Sequence, residues 1–525
     1  MKRSLTTIAL GAALGAASAG CGSDEDGGDV SGLTKYAPAD SVLFVEGAVR
    51  PEGDLKDSID SILGRFPDGD QLGGRLIDEI DQSAREDGTD FSWANDIEPW
   101  LGQRAAFYAS GVEVKPSGAG ESEAEPTAGA LVVEVTDEGQ AEESIRKLAE
   151  SEGQLQEGSY EGVGYEVAQD PSSDDPLAFA VDDGIALIGN EQGLRDSIDA
   201  SDGDNLSSQS DYTDFLDGAD SDLYASLYVD GAGILESAGS SLDPQQRQSL
   251  EKAFGQYLEK PILGAVEVSE DEVRVEFSGA AGEVNAGEAS TLLDAGFADS
   301  WLAAAIPSFG ESFASSFGQA SGAGLSEAEV NQFNAELESQ LGFSLSDLEA
   351  VGDVAFFASG TSLVSLEIGG LIQVSDAAVR DRLMAAIRSG ARGSGQGKVR
   401  PLSGSGGAQG FSISVPDLPA PVNVLASGEQ IAIGIGPATD FLLSGEGGLN
   451  GSQGFGDATE ALGEGTAINF LLEFAPIVEL VDSTGQADSD FEQARPYLEA
   501  FDLIAAGTER DGDRATSRFV VIFSD

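Results

Sequence analysis

Asp96-Ile97-Glu98-Pro99-Trp100-Leu101-Gly102, followed by Arg104-Ala105-Ala106-Phe107-Tyr108-Ala109-Ser110-Gly111, returns about 250 residues later. The second copy reads Asp347-Leu348-Glu349-Ala350-Val351-Gly352, then Val354-Ala355-Phe356-Phe357-Ala358-Ser359-Gly360. Each copy closes on an apolar run of strand length. The echo extends outward on both sides. Ala298-Asp299-Ser300-Trp301-Leu302 answers Ala39-Asp40-Ser41-Val42-Leu43, and Leu371 to Asp376 answers Leu131 to Asp137. Gln430 to Gly434 answers Ile185 to Gly189, Thr466 to Glu473 answers Leu223 to Asp230, and the turn at Arg510 to Asp513 answers Glu270-Asp271. The order is kept while the offset drifts from 259 at Ala39/Ala298 to 239 at Asp137/Asp376, a pattern that predicts tandem duplication of one module.

Within the first copy, Ala39 to Gly47 predicts a buried strand, and Leu55, Ile59, Ile62 and Leu63 fall at helical spacing. Ile77, Ile80 and Ala84 mark a second helix, and Arg104 to Ser110 a further strand. Gly111 to Ala128, rich in Gly, Ser, Glu and Pro, reads as a mobile hairpin tip or insertion. The strand Ala130 to Val135 runs into a helix that Thr136 or Asp137 can cap, with Ala141, Ile145 and Leu148 inward. Strands follow at Gly164 to Ala168, Leu177 to Val181 and Ile185 to Gly189, the last two joined through Asp182-Asp183-Gly184 as hairpins prefer. Helices at Gln192 to Ile198, Tyr212 to Leu216 and Pro244 to Leu258 complete the unit, with strands Leu223 to Val229, Ile262 to Val268 and Val273 to Phe277. Gly390 to Gly410 in the second copy reads as a flexible loop. Strands that arrive in runs predict the α+β class: two similar lobes, each a largely antiparallel sheet covered by helices. The expected layout is a leader at 1–20, a tether at 21–35, a first repeat at 36–280, a linker at 281–294 and a second repeat at 295–525.

The length of 525 residues suits two cores rather than one. With 93 acidic against 27 basic residues the formal charge is −66, which excludes a nucleic-acid partner, because phosphate contacts need a basic face. The acidity also repels anionic headgroups, so membrane attachment requires an anchor. There is no histidine, which removes the usual base near neutral pH and the usual metal ligand, and the one cysteine, Cys21, allows no internal disulfide.

Lys2 and Arg3 precede an apolar run from Leu5 to Ala17 that is too short for a permanent span, as in an export signal. It ends at Ser18-Ala19-Gly20-Cys21, which resembles the bacterial lipobox with Ser18 in place of the usual Leu. That resemblance implies cleavage before Cys21 and a thioether-linked diacylglycerol on it. Loss of Lys2 and Arg3 takes the formal charge from −66 to −68. Gly22 to Asp29 is an acidic, glycine-rich tether without the ligand spacing of an EF-hand.

Ala37-Pro38-Ala39-Asp40-Ser41-Val42-Leu43-Phe44-Val45, the later Pro51 and above all Trp100-Leu101-Gly102 resemble the bacterial family catalogued as domain of unknown function 3352, over most of the mature chain. Val351 stands where the second copy would repeat the Trp. The resemblance implies no activity, cofactor or catalytic residue.

Ser144-Ile145-Arg146-Lys147 and Ser249-Leu250-Glu251-Lys252 fit Ser-x-x-Lys but lack the Ser-Asp-Asn and Lys-Thr-Gly partners, and read as solvated helix faces. Gly434-Ile435-Gly436-Pro437 reads as a helix start, since Pro437 lacks the N–H of a phosphate cradle. The acidic groups Asp482, Asp488, Asp490, Glu492 and Asp199, Asp202, Asp204 read as surface loops rather than calcium ligands, and Trp100 as core. No catalytic, cofactor or metal residue is assigned; lipidation at Cys21 is the one modification site. These features predict a non-enzymatic, lipid-anchored protein on the extracytoplasmic face of the cell membrane, serving binding or envelope organisation. It would touch the membrane through Cys21, with its protein or small-molecule ligand left open. Two alternatives are a solute-binding lipoprotein of an importer and an envelope hydrolase with paired carboxylates.

Overall fold

The computed structural model describes residues 32–524 apart from 87–90, 118–120, 170–175, 220–222, 240–241, 243–246, 249–250, 252–254, 282–288, 315–326, 394–397, 416–417, 419 and 486–488. The expected leader, most of the tether and Cys21 lie outside the described residues, as does most of the helix expected over Pro244 to Leu258. Two compact units emerge, one running to Arg247 with Tyr257–Gly279, the other Gln248–Gln256 with Ala280–Asp525. The chain is α+β, and every strand pairing described within a unit is antiparallel.

The first unit contains β1 (Leu43–Ala48), β2 (Leu101–Ser117), β3 (Glu121–Val135), β4 (Gln154–Tyr160), β5 (Val163–Gln169), β6 (Leu177–Asp182), β7 (Ile185–Asn190), β8 (Leu223–Val229), β9 (Ile262–Val268) and β10 (Glu272–Ala280). Their order across the sheet is β4-β5-β6-β7-β3-β2-β1-β8-β9-β10. The second unit contains β11 (Ser300–Ile306), β12 (Val351–Ser359), β13 (Glu367–Val374), β14 (Lys398–Ser403), β15 (Gln409–Ser414), β16 (Val422–Ser427), β17 (Gln430–Ile435), β18 (Ala467–Glu473), β19 (Phe501–Asp511) and β20 (Arg514–Phe523). They run β14-β15-β16-β17-β13-β12-β11-β18-β19-β20, the first unit's order strand for strand.

The first unit's sheet buries both faces. Phe44, Ala106, Tyr108 and Val132 point to one side, under the helices Glu191–Asp202 and Ser210–Leu216, which contribute Leu194, Ile198, Tyr212 and Leu216. Trp100, Ala105, Val133, Phe179 and Ala186 point to the other, under the helix Glu138–Glu152 with Ala141, Ile145 and Ala149. Residues of opposite parity along a strand serve the two cores, as the two-residue repeat of a strand requires. In the second unit Ala303, Ala355, Phe357, Leu371 and Leu471 face the helices Ala438–Ser444 and Gln453–Leu462. Val354, Val374, Phe411 and Val424 face the helix Ala377–Gly393.

Local signals behave as their chemistry dictates. Asp137 caps its helix by accepting from Gln140 N at 3.0 Å, and Asp376, its echo, accepts from Val379 N at 2.9 Å. These bonds hold both carboxyls below the usual range. The Asp183-Gly184 turn has φ of 49° and 75°, the left-handed pair that a two-residue hairpin needs.

Four expectations need correction. The stretch Gly111 to Ala128 is no insertion: β2 continues to Ser117 and β3 resumes at Glu121, with 118–120 outside the described residues. The glycine-rich run Gly390 to Gly410 holds the end of a helix, all of β14 and the start of β15. Gly406 and Gly407 supply positive φ for its turn, and a Cβ at Gly410 would sit 1.8 Å from the Val424 carbonyl, so the glycines serve close approach rather than looseness. The tether ends before residue 35, since Leu33 is 1% exposed and joins Tyr36 in the core through a short 3-10 turn. The linker ends before residue 294, because Leu292 and Leu293 enter the second core.

Candidate functional site

The first unit encloses a buried ion pair, Glu46 with Arg104, whose counterparts by strand register in the second unit are Ala305 and Asp353. Glu46 shares the buried parity of Phe44 on β1 and lies across from Ala106 and Ser226. Arg104, two residues before Ala106 on β2, donates from Nε to Glu46 Oε1 and from Nη1 to the Leu223 carbonyl at 3.1 Å. Burial drives the Glu46 carboxyl above its ordinary value, against the pull of Arg104. Nearby, Tyr212 and Ser226 share a hydroxyl bond of 2.8 Å. Tyr108 donates to the Gly193 carbonyl and accepts from Ser197 Oγ at 2.9 Å. Burial pushes both phenols up, so they stay neutral and hold geometry rather than trade protons.

A recess of about 250 Å³ in the same unit is lined by Pro38, Asp40, Ser110, Asp196, Asp199, Ala200 and Asp204. It brings together Asp199 and Asp204 from the acidic set picked out in the sequence. Asp199 accepts from the Tyr160 hydroxyl at 2.8 Å. Burial first, then the charges of Asp40 and Asp199, raise the Asp196 carboxyl, while Gln192 opposes the shift. Among the described residues no group of three or more acidic side chains is placed to hold a metal ion. In the second set, Asp482 accepts from Arg495 Nη1 at 2.9 Å and Glu492 pairs with Arg495 at 3.1 Å; Asp488 lies outside the described residues.

The remaining motif residues have structural partners. Lys147 is paired with Asp96 at 2.7 Å rather than poised over Ser144; Ser249 and Lys252 lie outside the described residues. Asp96 opens the repeated stretch Asp96 to Gly111 and ties it to the helix Glu138–Glu152 through that pair. Its echo Asp347 bonds Arg382 of the helix Ala377–Gly393 in the same manner. Trp100 is 6% exposed, with Nε1 donating to the Asp96 carbonyl at 2.6 Å. Pro437 caps the start of the helix Ala438–Ser444.

One surface was missed in the sequence. A cross-strand row of the second unit runs Phe519, Ala506, Phe470, Ala304, Phe356 and Gly370 through β20, β19, β18, β11, β12 and β13. Directly opposed residues share a face. The adjoining row is Val521, Ile504, Leu472, Leu302, Ala358 and Ile368. Neither row contains a polar side chain. Phe356 is 52% exposed, and Phe519, Ile306 and Ile368 are also exposed on this face. The same row in the first unit reads Phe277, Gly264, Leu227, Val45, Phe107 and Leu131, aromatic at the matching two positions.

The Trp100-Leu101-Gly102 turn, buried and hydrogen-bonded, lies inside a stretch that also matches a known family. Residues 67–286 match the family model described as Protein of unknown function (DUF3352). The DUF3352 match bears out the resemblance read from the Trp100 motif. It is narrower than expected, since the opening Ala37 to Val45 and the second unit lie beyond it. No curated protein matches the chain. A solved structure described as "Structure of crystal form I of TP0453" is similar at 9% identity over 50% of this chain and 82% of that one. Its TM-score of 0.24 makes the likeness too distant to bear on the fold.

Proposed function

We propose that this chain is a lipid-anchored extracytoplasmic protein, built from two copies of one module, that works by binding or by organising the cell envelope rather than by catalysis. The duplication rests on the shared strand order, the matching helix caps at Asp137 and Asp376, and the aromatic positions Phe107/Phe356 and Phe277/Phe519 at equivalent registers. The binding role rests on one observation: the exposed apolar side chains Ile306, Phe356, Ile368 and Phe519 on β11, β12, β13 and β20. A contiguous apolar surface marks an interaction site, because exposing it to water carries a cost that a partner relieves. The acidic surface disfavours anionic ligands, so the ligand is an uncharged apolar one.

Nile red is expected to bind the protein with an emission blue shift, and Phe356→Glu to weaken that binding about tenfold or more by placing a charge within the row. Equal dye binding by the two proteins would refute the assignment of this face. The anchor has its own test. In cells, Cys21→Ala is expected to move most of the protein from washed membranes to the soluble fraction; full retention would refute lipid anchoring.

A further inference from the structure

We infer that the β12–β13 hairpin tip, Gly360 to Leu366, dips into the interface of a lipid bilayer and gives the protein a second membrane contact besides any lipid on Cys21. Val364 is 98% exposed and Leu363 51% exposed, two adjacent aliphatic side chains at the outermost point of the hairpin. No charged residue stands between Asp353 and Glu367, in a chain that is 23% charged. The equivalent hairpin of the first unit carries Glu113, Lys115, Glu121, Glu123 and Glu125 over the corresponding stretch. The apolar tip is therefore a property of one unit, separate from the shared fold.

The turn also meets the demand that an apolar phase places on polar groups. Ser362 and Ser365 bond each other five ways, one of them the Ser365 hydroxyl donating to the Ser362 carbonyl at 3.3 Å. Their hydroxyls lie 2.8 Å apart, each backbone N–H donates to the other's hydroxyl at 3.2 Å, and Ser365 N also donates to the Ser362 carbonyl at 3.1 Å. Gly360, at φ 83°, lets the loop close: a Cβ there would fall 2.2 Å from the Ser365 carbonyl. A turn whose two serines bond each other while Leu363 and Val364 project into solvent suits shallow insertion without local unfolding. At its base the Trp301 indole donates to the Gly360 carbonyl at 3.1 Å. An indole at that level is the side chain that settles at a membrane–water boundary.

The net charge selects the kind of bilayer. An acidic protein is repelled by anionic headgroups, so the tip suits a zwitterionic surface, and binding to an anionic one should recover as salt screens the repulsion. The inference rests neither on the anchor nor on the apolar rows, and its test removes the anchor. Protein lacking residues 1–20 and carrying Cys21→Ala, so that neither leader nor lipid remains, is floated with phosphatidylcholine vesicles. It is expected to float with them, and Leu363→Ser with Val364→Ser to lower the partition coefficient roughly 10- to 100-fold. The melting temperature should be unchanged, since both side chains are exposed. In the same background Val364→Trp should shift its emission to the blue on vesicle addition. Absence of flotation would instead point the tip at a protein groove and overturn the proposal. So would equal flotation of the double variant. Loss of Nile red binding by Phe356→Glu leaves this result untouched, so the two readings fail separately.

Discussion

Replacing Arg104 by Met alone is expected to destabilise the first unit by about 3–5 kcal/mol, because it strands a buried carboxylate. The lower figure is the better expectation, since the Arg104 side chain is 19% exposed whereas Glu46 is 2% exposed. The signature that separates this from ordinary packing loss is its pH dependence. Burial already holds the Glu46 carboxyl above its ordinary value of 4.5, with Arg104 pulling the other way. Without Arg104 the folded state binds that proton more tightly still. The folded state then binds more protons than the unfolded one between 4.5 and the raised value, so the variant loses stability as pH rises through that window. Relative to the wild type at each pH, its cost should shrink below pH 4.5. Pairing Arg104→Met with Glu46→Leu should recover most of the loss, as replacement of a whole buried pair by apolar groups often does. Urea unfolding followed by tryptophan fluorescence reports on this unit, because Trp93 and Trp100 both lie in its core. A double variant as unstable as the single one would refute the account.

Trp100→Val keeps an apolar side chain but removes the indole, and it is expected to cost about 3 kcal/mol. The indole fills the space among Val49, Ala105, Val133, Ala141 and Ile145. Its removal also leaves the Asp96 carbonyl without the donor that it now has at 2.6 Å. Strand register places Ala350 where the first unit has Trp100, and Phe343 and Phe411 fill the core beside the next residue, Val351. Val351→Trp should destabilise the second unit, by about 1–3 kcal/mol of overpacking. Unfolding midpoints of the two variants decide the matter, and a loss under about 1 kcal/mol for Trp100→Val would mean that the core collapses around the smaller side chain.

Elements whose signals are local were legible in the sequence. Asp137 has a backbone N–H to accept three residues on, Asp183-Gly184 can adopt positive φ, and Leu177 to Gly189 is apolar enough to demand burial. The edge strands β4 and β14 were missed because their side chains are mostly exposed and polar, leaving no alternation to detect. The two glycine-rich stretches looked like loops because composition cannot distinguish a glycine that loosens the chain from one that lets strands approach. Leu292 and Leu293 were taken for linker because two apolar residues form too short a run to declare a core. Glu46 left a faint trace, sharing the parity of Phe44 on an otherwise apolar strand, but its partner Arg104 lies 58 positions away and only strand pairing joins them. The bare rows of the second unit were hidden for a related reason. Val354 to Ala358 is apolar at every position, which predicts burial throughout and cannot tell that Phe356 alone among them is exposed.

A chain that holds the same strand order twice can misassemble by exchanging equivalent strands while it folds. The residues at Glu46 and Arg104 discriminate against that error. Were β1 to dock beside β12, Glu46 would meet Asp353, one anion facing another away from water. Were β11 to dock beside β2, Ala305 would leave the Arg104 guanidinium without its counterion. Exchange of the central strands would therefore carry an electrostatic penalty in either direction, which the native pairing of Glu46 with Arg104 avoids.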